Sequence, residues 1–66
     1  MGKFRSELKK YRQLAGLTQE ELANQVGVRR ETIVRLEVAR YNPSLQLAVS
    51  IARAVGAQIE EIFLFD

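Results

Sequence analysis

Apolar residues recur at three- and four-residue spacing through most of this chain, and glycines break the pattern into short helical segments. Phe4, Leu8, Tyr11 and either Leu14 or Ala15 place one apolar stripe on a first helix that ends near Gly16, with lysines on its other face. Thr18 and Glu21 have the spacing of a capping box, and Leu17 stands five positions before Leu22, the spacing of a hydrophobic staple, so a second helix starts at Gln19. Gly27 stops it in left-handed geometry. Val28 and Ile33 repeat the staple spacing, which predicts a third helix, begun after Arg29 and running to about Val38. Arg29 is a poor N-cap because it has no side-chain acceptor. Asn42-Pro43-Ser44 reads as a turn and a cap; Leu45, Ala48, Ile51, Ala52 and Val55 then give a fourth helix closed by Gly56. Ile59, Ile62 and Phe63 fit a short fifth helix, and Leu64-Phe65-Asp66 is too short to be independent. With no alternating segment of useful length, no internal repeat and no low-complexity linker, the expected fold is an all-α, compact five-helix bundle, one domain over residues 1–66.

The second and third helices, joined by a glycine turn, have the form of a helix-turn-helix. In such a pair the second helix fits the major groove of DNA, while the first lies across the backbone and sets the insertion angle. On a wheel of 100° per residue, Ile33 and Leu36 point one way while Arg30, Glu31, Val34, Arg35 and Val38 share the opposite side, which makes that side the candidate reading surface. Gln19 falls at the N-terminus of the first motif helix, where free N–H groups and the helix dipole favour a phosphate.

Composition narrows the function classes. At 66 residues, 47% of them hydrophobic, the chain suits one small core, although a domain of this size buries only about 60% of its unfolded surface. It has no cysteine and no histidine, hence no disulfide framework, no zinc-finger spacing and no histidine general base, and a reducing cytoplasm is the expected location. No apolar run approaches the roughly 20 residues that span a bilayer, and the charged start, Met1 to Lys10, does not read as a signal peptide. The net charge of +2 is unevenly distributed: Lys3, Arg5, Lys9, Lys10 and Arg12 crowd the start, Arg29, Arg30, Arg35 and Arg40 crowd the middle, and Glu60, Glu61 and Asp66 make the end acidic. A basic face on a nearly neutral protein can hold a polyanion locally, whereas any one cluster taken alone reads as an ordinary solvated helix face.

The segment LTQEELA, followed by GV with TI and RLE, then YNPSL and IARAVG leading to IEEIF, resembles the Cro and lambda-repressor-like family, also called the xenobiotic-response-element family of helix-turn-helix regulators. The resemblance covers nearly the whole chain, with the pieces in family order and at family spacing. It implies a lambda-repressor-like domain whose Gln19 meets a phosphate and braces the first side chain of the recognition helix, here Arg30. It implies base reading from Arg30, Glu31, Val34 and Arg35, with Thr32 near the backbone or a thymine methyl. Arginine pairs bidentately with guanine O6 and N7, glutamate accepts from cytosine N4 and valine meets a thymine methyl, so sites containing G·C pairs are expected. Glu31 has a second reading, an i,i+4 pair with Arg35 that steadies the helix. Arg12 and Glu37 match a pair that family members bury between the first and third helices, which removes both from the DNA surface. Thr18, Arg29, Arg40, Tyr41 and Asn42 complete the expected backbone contacts.

Two positions depart from the family pattern. Val38-Ala39 stands where asparagine-glycine is usual, and because alanine disfavours a left-handed turn the helix is expected to run longer or the loop to differ. Arg29 stands where serine or threonine is usual, which loses a cap but adds a positive charge beside the backbone.

A single recognition helix meets only a few base pairs, so a homodimer reading two half-sites is expected, with Ala57, Ile59, Leu64 and Phe65 as its interface. Ile59, Ile62 and Phe63 also read as residues that close the core, and Leu64 and Phe65 as partners for residues near Phe4 in a short two-stranded sheet like that of some small family members. The function that follows is a sequence-specific regulator of transcription that binds double-stranded DNA, a repressor by its size. It has no evident cofactor, metal or small-molecule ligand and no membrane partner. The rival from another class is an antitoxin or adaptor-type protein-interaction module. An enzyme is disfavoured because Ser6, Ser44, Ser50 and the tyrosines have no visible activating partner.

Overall fold

The computed structural model describes residues 4–65, arranged as strand β1 (Phe4–Ser6), helices α1 (Leu8–Leu14), α2 (Gln19–Val26), α3 (Arg30–Glu37), α4 (Leu45–Val55) and α5 (Ile59–Ile62), and strand β2 (Phe63–Phe65). Lys3 and Asp66, counted above in the basic start and the acidic end, lie outside the described residues. Each helix sends at least one aliphatic side chain wholly into a common core: Leu8, Leu22, Ile33 with Leu36, Ile51 and Ile62. Burying each contributes about 1.5–3 kcal/mol relative to leaving it exposed, which lets five short helices hold together although none would persist alone. Among the described residues no helix is long and apolar enough to cross a membrane.

The expected helix boundaries at α2 to α4 are present, and their caps explain them. Thr18 Oγ1 accepts from the Glu21 amide at 3.0 Å while the Glu21 carboxylate accepts from the Thr18 amide at 2.8 Å, so the capping box is closed on both sides. Gly27 and Gly56 end α2 and α4 at φ of 76° and 71°, and Ser44 Oγ accepts from the Leu47 amide to start α4. Arg29 makes no side-chain cap.

The ends of the chain form the short two-stranded sheet that the family resemblance offered, and only the helical reading of Phe4 and Phe63 is corrected. Phe4 does not begin the first helix; it pairs with Phe65 in an antiparallel two-stranded sheet, with Arg5 opposite Leu64 and Ser6 opposite Phe63. Its ring stands edge-on to Phe63 at 5.5 Å, so its apolar surface is used by the sheet. Ser6 Oγ accepts from the Leu8 amide, and the Glu7 amide donates to the Ile62 carbonyl at 2.7 Å, which ties the start of α1 to the end of α5. Phe63 likewise leaves the fifth helix for β2 with an extended backbone, φ −116° and ψ 108°, while its side chain stays in the core. Leu14 is 73% exposed and Ala15 is exposed too, because α1 stops there and the chain turns through Gly16, leaving Leu17 to pack against the core. Leu45, in the first turn of α4, is also exposed, and Leu47 packs in its place.

Candidate nucleic-acid interface

α3 has one face in the core and one in water. Ile33 and Leu36 are completely buried, whereas Arg30, Glu31, Val34, Arg35 and Val38 are exposed. Thr32 is half-buried between the two faces. Buried apolar residues at i and i+3 fix the helix rotation, so the outward set follows from the inward one. Val38, 61% exposed, belongs to this outer surface although it stands outside the expected base-reading set. Glu31 and Arg35 do not close into an ion pair: among the described residues, salt bridges join Arg5 to Glu7 and Arg12 to Glu37. Arg29, Arg30, Arg35 and Arg40 are exposed residues, from one end of α3 to just past the other, and among the described residues no carboxylate pairs with them.

Behind this face lies a polar chain that joins three helices. Arg12 on α1 donates through Nε to Oε2 of Glu37 and through Nη2 to Oε1, and its Nη1 donates to the Leu17 carbonyl at 2.8 Å. The two side chains are only 10% and 6% exposed. Glu37 Oε1 also accepts from Gln19 Nε2 at 3.0 Å, and Gln19 Oε1 accepts from Arg30 Nη2 at 3.2 Å. The buried pair between the first and third helices and the bracing of Arg30 by Gln19, both implied by the family resemblance, are therefore parts of one network. The link from Glu37 to Gln19 was not expected, and no sequence signal marks it, since residues 18 positions apart meet there only through the packing of α2 on α3.

At the start of α2, Arg12, Thr18, Gln19, Glu20 and Arg30 line an open depression. Thr18 Oγ1 is engaged as an acceptor by the capping box, which leaves its O–H free to donate outward. The helix dipole and the Arg30 guanidinium favour an anion here, and the Glu20 carboxylate opposes it.

Past α3 the loop corrects the sequence expectation. Ala39 does adopt the left-handed conformation, φ 58°, and α3 stops at Glu37 instead of running on. The Arg40 amide donates to the Arg35 carbonyl at 2.8 Å and the Ala39 amide to the Leu36 carbonyl at 3.2 Å, the paired bonds of a Schellman motif. These bonds satisfy the carbonyls at the end of α3 and offset the cost of left-handed alanine. The backbone thus turns as it would with glycine, and Arg40, Tyr41 and Asn42 follow it as exposed residues.

The residues expected at a dimer interface divide into two sets. Ala57 and Ile59 line a shallow groove between α4 and α5 with Val49, Ala52 and Arg53; Ile59 also packs against the core, together with the buried Ile62 and Phe63. Leu64 is half-buried on β2, and Phe65 is 64% exposed despite its contact with the Phe4 ring at 5.7 Å.

A family model described as helix-turn-helix matches residues 8–62, which hold all five helices. The chain belongs to this helix-turn-helix family. It is similar to an uncharacterized HTH-type transcriptional regulator of Archaeoglobus fulgidus, 58% identical over 63 residues that cover 96% of this chain and 90% of the relative. It is also similar to the HTH-type transcriptional regulator YgzD of Bacillus subtilis, 37% identical over 96% of both chains. Among solved structures, the restriction-modification controller protein C.AhdI of Aeromonas hydrophila superposes with a TM-score of 0.73 at 31% identity, over 82% of each chain. The clp gene regulator ClgR of Corynebacterium glutamicum gives a TM-score of 0.75 at 31% identity, over 82% of this chain but only 57% of its own. This chain is a transcriptional regulator with a helix-turn-helix domain of the Cro-like type that its motifs resemble.

Proposed function

We propose that this regulator is a sequence-specific repressor that reads the major groove of double-stranded DNA with α3, as a homodimer. The observation that carries the reading is the division of α3: its inner face is locked into the core, and its outer face offers Arg30, Glu31, Val34 and Arg35 to a partner. Arg30 and Arg35 take guanine O6 and N7, Glu31 accepts from cytosine N4, and Val34 meets a thymine methyl. Thr18, Gln19, Arg29, Thr32, Arg40, Tyr41 and Asn42 hold the backbone; such contacts set register and orientation without sequence information. Ala57, Ile59, Leu64 and Phe65 join two copies so that their recognition helices reach half-sites about 34–36 Å apart. Occupation of an operator in the cytoplasm then blocks polymerase.

The test is selection of randomised duplexes by the purified protein, with the affinity of the selected sites compared with random DNA across a range of salt. The expected result is an inverted repeat with half-site centres about one helical turn apart, bound roughly 10³-fold or more above random DNA. Recovery of no motif, with binding that tracks only salt, would reduce the basic surface to a nonspecific phosphate contact and favour a protein-interaction role.

A further inference from the structure

Gln19 stands between a carboxylate and a guanidinium, and only one orientation of its amide satisfies both. Its Nε2 donates to Glu37 and its Oε1 accepts from Arg30. A carboxylate has no proton to give and a guanidinium has no lone pair to offer, so the reversed amide would set acceptor against acceptor on one side and donor against donor on the other. Glu37 is itself held from behind: Arg12 donates to both of its oxygens and to the Leu17 carbonyl, and the Arg12 and Glu37 side chains are almost sealed from water.

We propose that Glu37 is a positioning residue for base reading. Through the fixed amide of Gln19 it orients the Arg30 guanidinium, and so sets the base preference at that step without touching DNA. This rests on Arg30 facing the bases. Gln19 takes one N–H of Arg30 Nη2, which leaves the second Nη2 hydrogen and both on Nη1 for guanine O6 and N7. An untethered arginine reaches guanine, other acceptors and phosphate alike. Fixing one edge of the guanidinium before DNA arrives removes rotamers that serve the wrong partners, so the gain falls on discrimination as well as on affinity. The same geometry requires a donor at position 30, because the only group that Gln19 shows it is an acceptor.

The test compares binding to a selected duplex with binding to duplexes changed one base pair at a time. The pair at which R30A loses its preference identifies the Arg30 contact. E37Q keeps the size of the side chain but lets residue 37 donate or accept, which frees the Gln19 amide to turn; the double replacement R12M/E37M removes both buried charges together at similar volume and serves where E37Q alone does not fold. Thermal melting verifies folding of each variant. The expected result is a fall of about fivefold or more in the affinity ratio at the Arg30 base pair, with ratios elsewhere unchanged, and no further fall when E37Q is added to R30A. A uniform loss of affinity at every position, with the ratio intact, would give Glu37 a structural role only and overturn the proposal. If R30A loses preference at no base pair, base reading by Arg30 fails and the proposal fails with it, whereas loss with R30A but not with the residue 37 variants removes the positioning step alone.

Discussion

Arg12 and Glu37 form a nearly water-free ion pair that joins α1 to the last turn of α3, with every hydrogen-bonding nitrogen of the guanidinium engaged. Removing one partner leaves the other charge buried without compensation, which costs about 3–5 kcal/mol. A domain of this size has a total stability of about 3–10 kcal/mol. Arg12→Ala is therefore expected to lower the urea midpoint drastically or to unfold the protein. Replacement of both by Met and Leu should restore much of the loss. A single variant that melts within about 1 kcal/mol of the parent would show that water reaches the pair.

Ala39 carries a conformation that suits glycine. Left-handed backbone costs a non-glycine residue about 1–2 kcal/mol, and glycine returns part of that gain as extra freedom in the unfolded chain. Ala39→Gly should stabilise the fold by about 0.5–1 kcal/mol, a few degrees in Tm for a domain of this length. Calorimetry measures it directly, and a lower Tm would contradict the left-handed turn.

Arg35 is exposed on the outer face of α3 and pairs with no carboxylate among the described residues, so truncating it leaves the core untouched. Arg35→Ala should weaken binding to a preferred duplex by about 1–3 kcal/mol more than binding to random duplex. Equal losses on both would reassign Arg35 to phosphate.

Phe65 exposes most of a large apolar side chain at the edge of the two-stranded sheet. Phe65→Ala should weaken self-association while leaving the monomer folded, since the ring contributes little to the core. Sedimentation equilibrium reads the outcome, and an unchanged oligomer mass would remove Phe65 from the interface.

The sequence by itself determined the order of the helices, most of their boundaries and the two faces of α3. Those features depend on local chemistry: a Thr18–Glu21 cap, a glycine after Val26 and another after Val55, and apolar spacing that decides which side of a helix avoids water. Family resemblance added the Arg12–Glu37 pair, the support of Arg30 by Gln19 and a short sheet between the chain ends as one option for Leu64 and Phe65. What the tertiary structure alone decided lies where distant segments compete for the same residues. Phe4 fits a helical stripe by spacing, yet its choice between helix and strand depends on Phe63 and Phe65, some sixty positions away. Ala39 is a separate case, a local one: alanine disfavours the left-handed turn by propensity, yet takes it because two backbone hydrogen bonds within the end of α3 close there. Glu37 meets Gln19 only once α2 has packed on α3, and that contact connects the buried ion pair to the arginine at the start of the outer face. Local free energies, the closing turn of α3 included, are written in neighbouring residues, whereas the strand pairing of Phe4 and the contact of Glu37 with Gln19 exist only after the chain has closed on itself.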